Sequence, residues 1–292
     1  MRGKTVLVGL ILSLMGVVAS AADKPMVPSP GVLYCAGTVT TEAVPHDAYV
    51  ITGEESNHRI TFDEGDYVYI NKGSDQGVKP GDEFSVIRHV HDTDPVQWSK
   101  WQSGILHQMG EVWEDEGRLK VVVARPDVSI AQVNHTCDFV QRGDIVVPFT
   151  ELPAPQLKSE DKFDRFAPAN GKSLAMVITG KKFQSQVGNG DIIYVNLGNA
   201  QGVKVGEYFR IFRYTGTQHE TVYQTPRFAF DADGDWGPVY GFGKAPSKHN
   251  WENTPREVLG EGVVLRTGPN SSTVLITFIL REIFPGDYVE LE

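Results

Sequence analysis

The chain has 292 residues, of which 40% are apolar, 10% aromatic and 22% charged, and its formal net charge is −10. This composition is that of a folded protein, and the length exceeds what one small core usually organises. The acidic balance, with no basic cluster among aromatics, argues against nucleic acid and anionic membrane surfaces as partners.

At the N-terminus Arg2 and Lys4 precede an apolar run from Val6 to Val18, and the small residues Ala19, Ser20, Ala21 and Ala22 follow. A basic start, a short apolar middle and an A-x-A exit read as a secretory signal over residues 1–22. The run is shorter than the roughly 20 residues that span a bilayer. No other segment is apolar enough to span, so the expectation is a periplasmic or secreted protein. Loss of the signal removes two basic residues and no acidic ones, leaving the remainder more acidic still.

Residues 23–44 form a leader that carries Cys35. The chain's second cysteine is Cys137. In an exported protein the two can form one disulfide, which would tie the leader to a distant part of the chain; two free buried thiols are the alternative. Two cysteines cannot complete a structural zinc site alone.

A unit at 45–150 comes next, and its centre is repeated. Asp66 to Arg88 returns without a gap as Asp191 to Arg213. The identities include Tyr69/Tyr194, Asn71/Asn196, Gly73/Gly198, Gln76/Gln201, Gly77/Gly202, Lys79/Lys204, Gly81/Gly206 and Phe84/Phe209. Such self-similarity marks a tandem duplication of one folding unit. Upstream, Val50 to Gly53 matches Val177 to Gly180. Downstream, Gly110-Glu111 is matched to Gly260-Glu261, and Ser129 to Val146 aligns with Ser272 to Val289. The second unit is therefore placed at 171–292.

Within each unit, short β-branched and aromatic runs alternate with Gly-Asp and Asn-x-Gly punctuation, which is the chemistry of strands and tight turns. Strands are expected at Tyr67–Ile70, Glu83–Val90, Leu119–Ala124, Val128–Val133 and Ile145–Val147. Their counterparts are Ile192–Val195, Tyr208–Tyr214, Gly262–Leu265, Thr273–Phe278 and Tyr288–Leu291. Five or six short strands around one core in about 100 residues predict a small closed or nearly closed β-barrel, so the fold class is all-β with two tandem barrels.

Between Arg88 and Gly110, Trp98, Trp101, Ile105 and Met109 fall at helical spacing and predict a short amphipathic helix, packed on the barrel. His89 and His91 share one strand face, as metal ligands can, but no third ligand follows at a recognisable spacing. The acidic run Glu111, Glu114, Asp115, Glu116 reads as a solvated turn before a strand. Residues 151–170, rich in proline and charge, read as an extended linker with little to bury.

The second unit carries an insertion at 214–257 that begins with Tyr214. Tyr223, Phe228, Phe230, Trp236, Tyr240, Phe242 and Trp251 form the candidate recognition surface, and a hairpin packed on its own barrel is the equal alternative. Asp231, Asp233 and Asp235 alternate as in a calcium loop. However, Trp236 and Phe242 occupy the positions of its glycine and bidentate glutamate, so a solvated acidic turn is the reading. No zinc-protease, phosphate-loop or nucleophile-elbow motif is complete. No cofactor, metal site or catalytic residue is assigned, and no enzyme activity is expected.

The pattern Tyr-[Ile/Val]-Asn-x-Gly-x-x-x-Gly-Val-Lys-x-Gly, starting at Tyr69 and again at Tyr194 and followed later by a hydrophobic-x-x-Gly-Asp, resembles the C-terminal domain of flagellar assembly protein T. That domain is an SH3-like barrel. The resemblance covers most of both units and implies two SH3-like barrels in tandem. The family joins its barrel to N-terminal and middle domains and works in a periplasmic ring around the flagellar motor. By resemblance, the chain is expected to be a non-catalytic adaptor or scaffold of the bacterial cell envelope, with an envelope protein as partner. A cell-wall or glycan-binding module is the alternative, and a hydrolase with an unmotified site comes third.

Overall fold

A computed structural model describes residues 26–55, 57–93, 102–159, 163–214 and 255–292. The second unit is a closed barrel. Its strands run in the order β10 (Leu174–Gly180), β11 (Ile192–Val195), β14 (Ser272–Ile279), β13 (Glu257–Thr267), β12 (Tyr208–Arg213) and β15 (Tyr288–Leu291). β15 pairs back onto β10, so no edge is left open.

The first unit repeats this order: β2 (Val50–Gly53), β4 (Tyr67–Ile70), β7 (Ser129–Thr136), β6 (Glu111–Ala124), β5 (Glu83–Val90) and β9 (Ile145–Pro148). Its ring returns from β9 to β2 through a bridge between Tyr49 and Ile145. Backbone bonds from Val50 N to Asp144 O (2.9 Å) and Gly143 N to Val50 O (2.8 Å) complete it. The corresponding bonds of the second barrel, Val177 N to Asp287 O and Gly286 N to Val177 O, have the same lengths. A short pair, β3 (Thr61–Phe62) with β8 (Val140–Gln141), caps the first barrel where a Val187–Ile283 bridge caps the second. The mainly β, small-barrel architecture expected from the strand pattern is the one observed.

Identical residues do identical work in the two barrels. Asn71 Oδ1 accepts from Tyr49 N at 2.6 Å and Asn196 Oδ1 from Met176 N at 2.7 Å, and Gln76 and Gln201 each accept from a glycine N at 2.8 Å. Arg88 forks onto Asp144 (2.7 and 2.9 Å) and Arg213 onto Asp287 (2.7 and 2.7 Å), each also donating to a carbonyl of the preceding turn. These buried bidentate pairs fasten the last strand to the middle of the barrel wall. The interiors match as well, with Val50, Val68, Ile70, Phe84 and Val86 in one core and Val177, Ile193, Val195, Phe209 and Ile211 in the other. Where they differ, volume is exchanged. Leu119 with Ala131 in the first barrel corresponds to Gly262 with Val274 in the second, and a Cβ on Gly262 would lie 2.7 Å from Val274 Cγ1.

Three expectations need correction. Gly110 is not the counterpart of Gly260. Val86 pairs with Gly117 and Ile211 with Gly260, and a Cβ at either glycine would run into the carbonyl of the adjoining strand, His135 or Phe278. The long preceding insertions hide this register from a local sequence match. β6 and β13 accordingly start well before Leu119 and Gly262. The linker is extended as expected, but it is packed: Pro155 is buried, Leu152 and Leu157 join a core cluster, and Leu157 N bonds Met26 O at 2.7 Å. Among the described residues no helix is long and apolar enough to cross a membrane.

Replacing Asp144 or Asp287 by Ala leaves a buried guanidinium without its fork partner. Each substitution is expected to lower stability by about 3–5 kcal/mol, measured by chemical denaturation.

Candidate functional site

The densest cluster of polar chemistry lies in the seam where the two barrels meet, and the leader builds it. Ser29 caps a short helix, α1 (Pro30–Tyr34), by accepting from Val32 N at 3.3 Å. The chain then turns at Gly37 and runs as β1 (Thr38–Thr40) antiparallel to the start of β6. Gly37 has φ +68°, and a Cβ there would collide with Tyr194 Oη, so the turn needs glycine for both reasons. Cys35 and Cys137 are joined by a disulfide, with Cα atoms 5.4 Å apart across 102 residues of sequence. The leader is thereby stitched to the end of β7.

The other side of the leader is covered by the second barrel. Leu33, Ala36 and Val39 are buried against Ile178, Ile192, Tyr194, Val263, Leu265 and Leu275, and Met109 from the helix α2 (Gln102–Met109) completes the layer. Gln102 Nε2 donates to Ile178 O at 2.6 Å, Thr273 Oγ1 to Gly37 O at 3.1 Å, and Ser271 Oγ to Val39 O. Ile105 and Met109 pack as the helical spacing required. Trp98 and Trp101 lie outside the described residues.

The acidic run is the largest departure from the sequence reading. Glu111, Glu114, Asp115 and Glu116 do not form a solvated turn; they lie within β6, and Glu114 and Glu116 are buried. Pairing of β6 with both β5 and β1 draws them in. Asp115 accepts from Gly37 N at 2.8 Å and forms an ion pair with Arg266 at 2.9 Å, while Arg266 also donates to Leu33 O at 2.9 Å. Glu114 faces Lys181 at 3.6 Å and accepts from Lys182 N at 3.2 Å; Lys182 Nζ reaches Asp138 at 2.7 Å. Tyr194 Oη donates to Ala36 O at 3.2 Å, with Glu114 Oε1 at 3.5 Å, and burial pushes its phenol far up, so it stays neutral.

Glu116 stands apart. It occupies the position that Leu259, wholly buried, holds in the second barrel: Arg88 pairs with Glu114 as Arg213 pairs with Glu257 in the same register. An acid at a core position loses its hydration, and burial raises its carboxyl to about 7 even though Arg88 lies 3.0 Å away.

No family model matches this sequence, and no curated protein does. The functional reading therefore rests on the site itself.

Two smaller clusters carry ligand-type residues. Cys35, His135 and Cys137 form the only group of three potential metal ligands found among the described residues. Both sulfurs are held in the disulfide, with His135 Nε2 3.5 Å from Cys35 Sγ. His89 and His91 do share one face, and the fold adds what the sequence spacing concealed. His107 from α2, with Glu111 and Asp92, lines the same cavity of about 240 Å³. There His89 Nε2 meets Glu111 at 2.5 Å and its ring lies 5.3 Å from that of Trp113. Of the aromatic insertion, Tyr214 is described and packs edge-on against Phe212 and Tyr288. The candidate recognition residues Tyr223, Phe228, Phe230, Trp236, Tyr240, Phe242 and Trp251, and the acidic loop Asp231–Asp235, lie outside the described residues.

The Cys35–Cys137 link closes a loop of about 100 residues, and Cys35→Ser is expected to lower unfolding free energy by about 2–5 kcal/mol. Reductant should reproduce the loss in the native chain and add nothing to the variant.

Glu116 gives a pH signature. Its folded pKa lies above the unfolded value, so the folded state binds the extra proton, and stability falls as pH rises from about 4.5 to about 7. Glu116→Leu, which restores the twin residue, is expected to gain on the order of 1–4 kcal/mol over the native chain above pH 7. The gain should shrink towards pH 4.5 in denaturation curves taken across that range.

Proposed function

We propose that this chain is a non-catalytic, exported adaptor or scaffold protein of the bacterial cell envelope. The observation that carries the reading is how the ionisable cluster of the seam is used. Glu114 and Asp115 face Lys181, Lys182 and Arg266 of the other barrel, while Asp115 and Arg266 also hold the leader. Charges arranged this way fix two barrel surfaces at one mutual orientation, which is what a presenting scaffold requires. The half-buried disulfide suits an oxidising compartment, in keeping with the secretory signal read at residues 1–22. The resemblance to the C-terminal domain of flagellar assembly protein T points the same way, towards a periplasmic assembly.

The test is photo-crosslinking in intact cells from exposed barrel positions, such as Ile60 and Leu280, followed by identification of the adducts. A discrete protein adduct from the envelope is the expected outcome. Retention on purified cell wall with no protein adduct would replace this reading with glycan binding.

A further inference from the structure

The seam is built from a ridge on the first barrel and a face on the second. Because the barrels are duplicates, each should own a copy of both. On the second barrel the face is a row across four strands, Ile178, Tyr194, Thr273 and Arg266, with Leu265 beside it. All are covered by the leader and the first barrel.

The equivalent row on the first barrel is Ile51, Tyr69, Ile130 and Val123, with Val122 in the place of Leu265. Tyr69 pairs with Ile130, and Ile130 with Val123. This row is open: Ile51, Val122 and Val123 are 39%, 47% and 41% exposed. It is also more apolar than its twin. Ser271, Thr273 and Arg266, which grip the leader, are replaced by Val128, Ile130 and Val123.

The stretch equivalent to the ridge can be placed by register, and there it forms a turn at Phe166 in place of a paired strand. In the first barrel the crest of the ridge is Val39, paired with Val112 at the start of β6 and buried in the seam. The spacing that takes Val50 to Val177 takes Val39 to Phe166, and the spacing that takes Gly117 to Gly260 takes Val112 to Pro255. Phe166 and Pro255 do lie together, lining one cavity of about 690 Å³ with Arg165, Tyr214 and Arg256. Arg256 holds this stretch in place through Ala167 O at 3.3 Å and Pro168 O at 2.8 Å. Phe166 is 83% exposed.

From this repetition we infer that the chain binds a second copy of itself head to tail, the Phe166 ridge of one molecule seating on the Ile51, Tyr69, Ile130, Val123 face of the next. The occupant is argued from the internal seam, where the twin of this face is covered by the stretch that corresponds in register to Phe166. Such a contact is heterologous, so every added copy presents a fresh ridge or face. The inference deepens the scaffold reading and rests on it for its use in the cell, but its test needs only purified protein.

Phe166→Asp and Val123→Asp change exposed side chains, and far-ultraviolet circular dichroism with intact mass checks that both variants stay folded and bridged. In sedimentation velocity over a concentration series, the native chain is expected to exceed the dimer mass while each variant alone stays monomeric. An equimolar mixture of the two variants retains one sound ridge and one sound face, so it should form dimers and nothing larger. A native chain that stays monomeric throughout, association untouched by either substitution, or a mixture that stays monomeric would each overturn the inference. None of those results would alter the envelope cross-linking outcome, so the two failures are distinguishable.

Discussion

Eight residues, from Leu33 to Thr40, determine how the two barrels are held. They add a strand to one barrel wall, receive hydrogen bonds from Thr273 and Ser271 in the other, and are anchored by the Cys35–Cys137 bond. Without this strip, Ile178, Tyr194 and Leu265 would face solvent and Asp115 would lose its bond from Gly37. Burying that apolar layer supplies the stabilisation, and the ion pairs with Arg266 and Lys181 set the angle at which it is buried.

Duplication explains why residues that are alike in sequence can differ in consequence. Tyr69 and Tyr194 occupy the same strand position, yet one is part-exposed on an open face and the other is sealed beneath the leader with its hydroxyl on Ala36 O. Leu259 and Glu116 show the reverse, with equivalent core positions filled by unlike groups. Barrel-building residues such as Asn71, Gln76, Arg88 and Asp144 are shared because each serves bonds inside its own unit. Residues of the seam diverge because only one copy of the seam is closed within the chain.

The barrels were legible because many of their signals are local: Gln76 and Gln201 each bond a glycine three positions away, so the repeat exposes such turns directly. The disulfide was open to inference from compartment and count. The seam was not legible, since its partners are separated by up to 236 residues and no short spacing encodes them. The acidic run misled for the same reason. Glu114, Asp115 and Glu116 look solvated until Lys181, Arg266 and Arg88 are brought beside them. His107 is a further case, because α2 had to be folded back before it could share a cavity with His89 and His91.

The leader also sets an order of assembly. Its strand partner β6 and its disulfide partner Cys137 both belong to the first barrel, so the strip can be laid down and covalently fixed when little more than half of the chain exists. The second barrel then closes by itself around β10 to β15 and meets a platform that is already prepared. Ordering the leader has by that point been done within a shorter loop, and the late step reduces to docking two preformed surfaces.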